Sequence, residues 1–199
     1  MSGVGDPREA LLGALARGHD GTPWHGPSRA ALLSTVSADE AAWDPGGGAH
    51  GIWATVLHMW AWTREVTRRT RGAVPTSPIE GDWPAVPAPD PGAWAAAIAA
   101  LDAAHRDLVD AVRTMPPEQL EMLVPPHAEE PDNPRITFAE MLRSLADHDL
   151  YHSGQLALLV RLARRAVVDV QRPMRVSARR AQTSERIQPP STATFCAVI

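Results

Sequence analysis

The chain has 199 residues, 44% of them hydrophobic and seven of them Trp, which suffices for the buried core of one ordinary domain. The formal net charge is −4, and residues 1–163 alone carry −9, which excludes a basic nucleic-acid-binding surface on the folded body. The single Cys, Cys196, excludes internal disulfides and a cysteine-based zinc site, and neither a signal peptide nor a run of roughly 20 apolar residues is apparent. We therefore expect a cytoplasmic protein without a membrane or nucleic-acid partner.

The first predicted arm consists of short helices. A helix is expected over residues 7–17, since a Pro suits its first turn and Gly18 ends it. After the break at Pro27 a second helical piece is expected. It is followed by one further turn, which Ser37 and Glu40 open as a capping box.

Two longer helices follow, joined by a Pro-rich connection. They are expected over about residues 50–71 and 91–115, because apolar side chains recur there at positions i, i+3 and i+4. Residues 72–92 contain six Pro and fit neither a helix nor a central strand. A connection of about 20 residues can span well over ~30 Å. It can therefore return the chain along a bundle and make the two helices parallel neighbours.

The last predicted helix covers residues 137–166 and begins with a capping box formed by Thr137 and Glu140. The periodic pattern ends after it, in an Arg-rich stretch with Pro, Ser and Thr. We predict an all-α protein, a four-helix bundle over residues 1–165. Residues 166–199 are predicted to form a basic, poorly ordered tail.

Two histidines, His148 and His152, lie on the apolar stripe of the last helix. Residues four apart on a helix share one face, with Cβ atoms roughly 5–6 Å apart, so both rings are expected to point inward. A buried imidazole needs a partner for its ring nitrogens, either a hydrogen-bonding neighbour or a metal ion. This helix alone leaves both interpretations open, and a hydrogen-bonded pair is the simpler one.

A third histidine, His58, lies mid-helix on the inward side of the first long helix. Bundle cores are places where facing helices bring metal ligands together. Three imidazoles with an open position suit Zn, Ni, Fe or Cu and leave room for water or a thiol. Open coordination favours catalysis, since the ion lowers the pKa of a bound water or thiol.

For five other side chains near these histidines, the sequence gives weaker indications of a role in the site. Trp62 is expected to form a pocket wall, and Asp149 could orient a histidine from behind. Gln155 could hydrogen-bond a ligand or substrate, although a polar residue near a bundle end is more often simply solvated. His50 could line the mouth of a pocket, although a surface position is the expectation for it. Tyr151 is expected off the histidine face, in packing or at an interface.

Several segments resemble motifs of the DinB-like (YfiT-like) metalloenzyme family. Residues 51–62 (GIWATVLHMWAW) resemble the first histidine segment of that family, and residues 148–155 (HDLYHSGQ) resemble the second. Residues 81–84 (GDWP) and 24–27 (WHGP) also resemble positions common in it. The order of the motifs and their spacing are more specific than any one of them, and the resemblance covers roughly residues 5–165.

The resemblance implies an up-down-down-up four-helix bundle with a long crossover between helices two and three. Proteins of this family are often dimers. It also implies one divalent transition metal, Zn, Ni or Fe, with His58, His148 and His152 as ligands. The family includes thiol S-transferases that act with low-molecular-weight thiols such as mycothiol or bacillithiol. The function so implied is activation of a thiol or water at the metal, for transfer to or hydrolysis of a small molecule, by a homodimer.

Two other kinds of protein remain open from the sequence. One is a non-catalytic metal- or ligand-binding stress protein, whose ion would have no exchangeable water. The other is a helical dimerisation module whose histidines are merely buried. Substitution of His58 separates them, since a structural module should lose only stability.

Overall fold

The computed structural model describes residues 6–24 and 26–171, and within them the chain is helical without a strand. The predicted all-α class is confirmed. Leu123 and Thr137 form one isolated antiparallel bridge. The elements in chain order are α1 (Pro7–His19), α2 (Arg29–Leu33), α3 (Ala38–Ala41), α4 (Ile52–Thr70), α5 (Pro91–Thr114), a 3-10 helix (Pro117–Glu121) and α6 (Phe138–Gln171).

Side-chain caps mark where the helices begin. The capping box predicted for α3 is present, with reciprocal hydrogen bonds between Ser37 and Glu40. The box predicted at the start of α6 is present as well: the Thr137 backbone N–H donates to the Glu140 carboxylate, and the Thr137 hydroxyl accepts from the Glu140 N–H. Asp90 caps α5 in the same way by accepting from a first-turn backbone N–H.

Contacts at the helix ends give the relative directions of the long helices. The Trp53 and Trp94 rings, near the starts of α4 and α5, lie 5.2 Å apart. At the other end Arg71, just past α4, donates to Asp107 late in α5. The two helices therefore run in the same direction. In contrast, α1 runs opposite to α5, because Arg8 at its start donates to backbone carbonyls at the C-terminal end of α5.

The apolar core consists of two separate clusters. One lies around the start of α6, and its members include Leu11, Leu15, Leu108, Val112, Leu142 and Leu145. The other lies around the later half of α6, and its members include Ile52, Trp53, Val56, Trp94, Leu101 and Leu156. Each large side chain buried in this way contributes on the order of 1.5–3 kcal/mol to folding.

A polar layer separates the two clusters. Along α6, for example, its members His148, Asp149 and His152 lie between Ala146 of one cluster and Leu156 of the other. All of its members except His148 are almost fully buried, although each carries a charge or an imidazole. The polar layer consists of His19, Arg29, His58, His105, His148, Asp149 and His152.

The connection between α4 and α5 is bonded to α4. Glu65, 1% exposed, accepts from the Arg69 side chain at 2.8 Å and from the Thr76 backbone N–H at 3.0 Å. Further along, the Trp62 indole N–H donates to Asp82 at 2.7 Å. These contacts hold residues 81–84 against α4, close to the polar layer.

The last helix extends beyond its predicted end. It continues to Gln171, because no Pro or Gly interrupts the sequence between residue 166 and Pro173. The rest of the predicted tail, residues 172–199, lies outside the described residues, as does His25. In the described part of the chain, no helix combines the length and the apolar character needed to cross a membrane.

Candidate metal centre

Three histidines meet where α4 faces α6. His58 comes from α4, and His148 and His152 lie one turn apart on α6. One ring nitrogen of each lies within 4.8 Å of those of the other two, and the Nε2 atoms of His58 and His148 are 3.0 Å apart. Two nitrogens that bind one ion at about 2.0–2.1 Å lie roughly 3 Å from each other. The cluster is thus compatible with a site for a single metal ion.

Hydrogen bonds determine which ring nitrogen of two histidines is free. Nδ1 of His58 lies 2.6 Å from the backbone oxygen of Asp82, which can only accept. Nδ1 of His152 lies 2.6 Å from Oε1 of Gln155. Each Nδ1 therefore carries the proton of its neutral ring, and each Nε2 has a free lone pair directed at the cluster.

The third histidine has an unusual pair of unsatisfied atoms behind it. Nδ1 of His148 and Oδ1 of Asp149 are both buried without a hydrogen-bond partner, 3.7 Å from each other. A proton on Nδ1 would face the carboxylate oxygen and be attracted to its charge, but it leaves the Nε2 lone pairs of His148 and His58 facing each other at 3.0 Å. A cation between them removes that repulsion. The donor set therefore fits a divalent metal.

Burial keeps the ligand rings in the form that binds metal. It lowers the pKa of His58, and burial together with the nearby His148 lowers the pKa of His152 to about 4. Both rings are then neutral near pH 7, as metal ligation requires.

The histidines line an open cavity of about 700 Å³. One wall is a stack of three rings: Trp83 lies 4.0 Å from His58 on one face and 3.5 Å from His50 on the other, with interplanar angles of 11° and 5°. The remaining walls are mainly apolar or aromatic and include Ala49, Trp62, Tyr151, Leu158 and Leu159.

Of the three side chains predicted to surround the histidines, two line the cavity and one lies behind the cluster. Trp62 and Gln155 line the cavity, and Gln155 contacts a histidine rather than solvent alone. Asp149 lies behind His148, on the side away from the cavity, and is buried.

Residues that sequence reasoning placed elsewhere also form part of the site. His50 and Tyr151 were expected at the surface or in packing, yet both line the cavity. Asp82 and Trp83 were noted only through the GDWP segment, whose likeness to the family was the available signal. Periodicity could not place them, because they belong to an irregular connection.

A chain of polar contacts continues behind Asp149. Its Oδ2 accepts from Arg29 at 2.6 Å, and the other guanidinium arm of Arg29 lies 2.8 Å from Nδ1 of His19. The His19 ring stacks on His105 with centroids 3.8 Å apart. Burial alone would raise the pKa of Asp149, but the Arg29 charge, the nearby His148 ring and a hydrogen bond from Arg29 outweigh it and lower that pKa. Asp149 is therefore a carboxylate.

Comparison with known proteins agrees with this site. The sequence model of the DinB superfamily matches residues 29–156, more than half of the chain. The matched span contains all three clustered histidines and also Arg29, Asp82 and Asp149. No curated protein and no solved structure gives a significant match.

The paired histidines behind the site predict a loss of stability in acid. Burial lowers the pKa of both His19 and His105 to about 4, so the unfolded chain binds protons more readily between about pH 6.5 and 4. The free energy of unfolding should be greatest above about pH 6.5 and should fall towards pH 4, by at most on the order of 3 kcal/mol per histidine.

Urea unfolding of metal-free protein across this pH range measures the effect. A His105→Gln variant should show a shallower dependence, because one of the rings whose pKa is lowered by burial is gone. A parent profile that is flat between pH 6.5 and 4 would contradict the prediction.

Proposed function

This chain belongs to the DinB superfamily. We propose that it is a metal-dependent enzyme that either transfers a low-molecular-weight thiol to a small molecule or hydrolyses a small molecule. His58, His148 and His152 would hold one divalent ion, Zn, Ni or Fe. Support comes above all from the three imidazoles, whose free nitrogens converge at the edge of an open cavity. When bound, a divalent ion supplies a Lewis acid that lowers the pKa of a coordinated thiol or water.

The number of protein ligands favours catalysis over a structural role. Structural zinc sites close all four positions with protein ligands, whereas catalytic sites have three and leave one for water or substrate. Within the described part of the chain, the histidine cluster contains no fourth His, Cys, Asp or Glu. The cavity beside it is large enough for a small organic molecule and has the mostly apolar walls typical of such sites.

The cavity walls favour a nucleophile that enters with the substrate. Thr55 donates its hydroxyl to the Gly51 carbonyl, and Asp82 accepts from the Trp62 indole. No Cys, Ser or Lys is found among the described residues that line the cavity. Because the described lining offers no thiol, serine hydroxyl or lysine amine, an entering thiol or water is the simplest source of a nucleophile.

The chain's own residues would position the reactants. The Asp82 carbonyl and Gln155 hold the protons of His58 and His152 on Nδ1, away from the reacting side. The stack of His50, Trp83 and His58 forms an aromatic wall on one side of the site. A small molecule would pack against this wall, while the mouth of the cavity stays open to the incoming thiol.

The helix directions support the order of up and down helices that is expected for a bundle of this family. Since α4 and α5 run in the same direction and α1 runs opposite to α5, we propose the up-down-down-up order for α1, α4, α5 and α6.

Thiol activation is testable with Co²⁺ in place of the native ion, because a thiolate bound to Co²⁺ gives a sulfur-to-metal charge-transfer band in the near ultraviolet. Titration with 2-mercaptoethanol should produce such a band with saturation. Ethylene glycol, the oxygen analogue, is the matched control and should not produce it. The His152→Ala variant should give no band with either compound.

Protein that binds Co²⁺ and develops no band with the thiol would contradict thiol activation. That result would leave hydrolysis through a coordinated water and the non-catalytic metal-binding alternative.

A homodimer is proposed from an exposed face of α6 that borders the cavity, because Tyr151 and Leu158 belong to both. Tyr151, Leu158 and Leu162 lie on one side of the helix, and their exposed fractions are 64%, 58% and 40%. Their spacing of seven and four residues matches a helix face that packs on another helix.

Light scattering should give the parent twice the chain mass of 21.4 kDa. Leu162→Arg should yield a monomer, because a charge within an apolar contact disfavours association. Leu123→Arg, a similarly exposed Leu outside α6, should leave the dimer intact. A monomeric parent would rule the dimer out.

A further inference from the structure

We propose that Arg29 is a positioning residue for the three-histidine site. It holds the carboxylate of Asp149 against Nδ1 of His148, from the side opposite to the cavity, and so fixes the orientation of the His148 ring and the place of its proton. The inference rests on the proposed function of the histidine cluster as a metal centre.

The burial of Arg29 requires an explanation. Its side chain is 1% exposed although it lies on a helix of only five residues. Arg is almost never fully buried unless it is paired, and removal of its charge from water costs free energy that an ion pair often only offsets. Stability alone therefore does not explain why Arg29 is paired with Asp149. The position of Asp149 beside His148 suggests a role at the histidine cluster.

The contacts of Arg29 fix the Asp149 carboxylate. One guanidinium nitrogen donates to Oδ2 at 2.6 Å, which leaves Oδ1 as the oxygen nearest Nδ1 of His148. A second guanidinium nitrogen lies 2.8 Å from Nδ1 of His19. Because Arg is anchored at two points, the carboxylate cannot rotate away from His148 without breaking a short ionic hydrogen bond.

The order of donors and acceptors is consistent along the whole chain of contacts. Arg only donates, so Nδ1 of His19 accepts and its proton is on Nε2, 3.5 Å from a carboxylate oxygen of Asp102. On the other side, a carboxylate only accepts, so it favours a proton on Nδ1 of His148. The Nε2 lone pair of His148 is then free, as it is in His58 and His152.

A purely structural role for Arg29 is the competing explanation. In that case the ion pair would only tie α2 to α6, and its loss would lower stability without changing the histidines. Arg164 provides a matched control, because it also ties this part of the chain to α6, through Glu40 at 2.9 Å and the Thr35 carbonyl at 2.6 Å. It makes no contact with the polar layer among its hydrogen bonds.

The first readout is the Zn²⁺ dissociation constant, measured by competition with a chromophoric chelator on variants whose folding is verified by circular dichroism. Loss of a partner behind a ligating His typically weakens metal binding about 10–100-fold. We expect a weakening of about that size for Arg29→Met and for Asp149→Asn, and a smaller one for Arg29→Lys, which keeps the charge but not the fork. Arg164→Met should stay within about twofold of the parent, since it leaves the contacts behind His148 intact.

The second readout is the tautomer of His148 in metal-free protein, from ¹⁵N NMR of the ring nitrogens in neutral rings. The parent should carry the proton on Nδ1, and Arg29→Met should show a mixture of tautomers. This readout does not need metal, so it tests Arg29 even if the parent fails to bind Zn²⁺ and the metal proposal is wrong.

A folded Arg29→Met variant with the parent's Zn²⁺ affinity and the parent's His148 tautomer would overturn the inference. If Arg29→Met does not fold, Arg29→Lys decides in its place. Unchanged affinity and an unchanged tautomer in that variant would overturn the inference equally.

Discussion

The structure depends on the satisfaction of a polar layer in the middle of an apolar helical protein. A buried polar atom without a partner costs roughly 1–3 kcal/mol, and an unpaired buried charge costs more. Most members of the layer find partners within the protein, such as Arg29 with Asp149 and His58 with the Asp82 carbonyl. At one place in the layer, three imidazole nitrogens meet beside a cavity. That convergence is what makes the layer a candidate site rather than a structural network.

The site also depends on the irregular connection between α4 and α5. Its contacts with Glu65 and Trp62 bring Asp82 and Trp83 back to the middle of α4. The connection thereby supplies both a proton acceptor for His58 and an aromatic wall of the cavity. A shorter hairpin would not reach this place, because α4 and α5 run in the same direction and the chain must travel the length of the pair.

Sequence reasoning predicted much of the fold and part of the site for a clear physical reason. Helical periodicity and capping boxes are local, so the helices and the inward direction of His58, His148 and His152 could be read from spacing. The end of α6 was predicted five residues early, because the Arg-rich stretch after residue 166 weakened the apolar pattern without breaking the helix. Local pattern predicts where apolar periodicity ends. A helix can continue beyond that point as long as no Pro or Gly interrupts it.

The polar partners could not be predicted in this way. Arg29 bonds to Asp149, 120 residues further along the chain, and no local pattern distinguishes it from a surface Arg. Trp83 and His50 form a stack only because the connection folds back over α4. Such contacts follow from tertiary packing, and a single sequence contains no periodic signal for them.

The most direct test of the metal site is elemental analysis of purified protein without a histidine tag, beside three single variants. We expect about one equivalent of metal in the parent, and its loss in His58→Ala and His152→Ala while helicity persists. His50→Ala is the matched control: it removes another cavity histidine, one that does not belong to the cluster, and should keep the metal. A parent that takes up no metal after incubation with Zn²⁺ or Ni²⁺, or a His58→Ala variant that keeps it, would contradict the account.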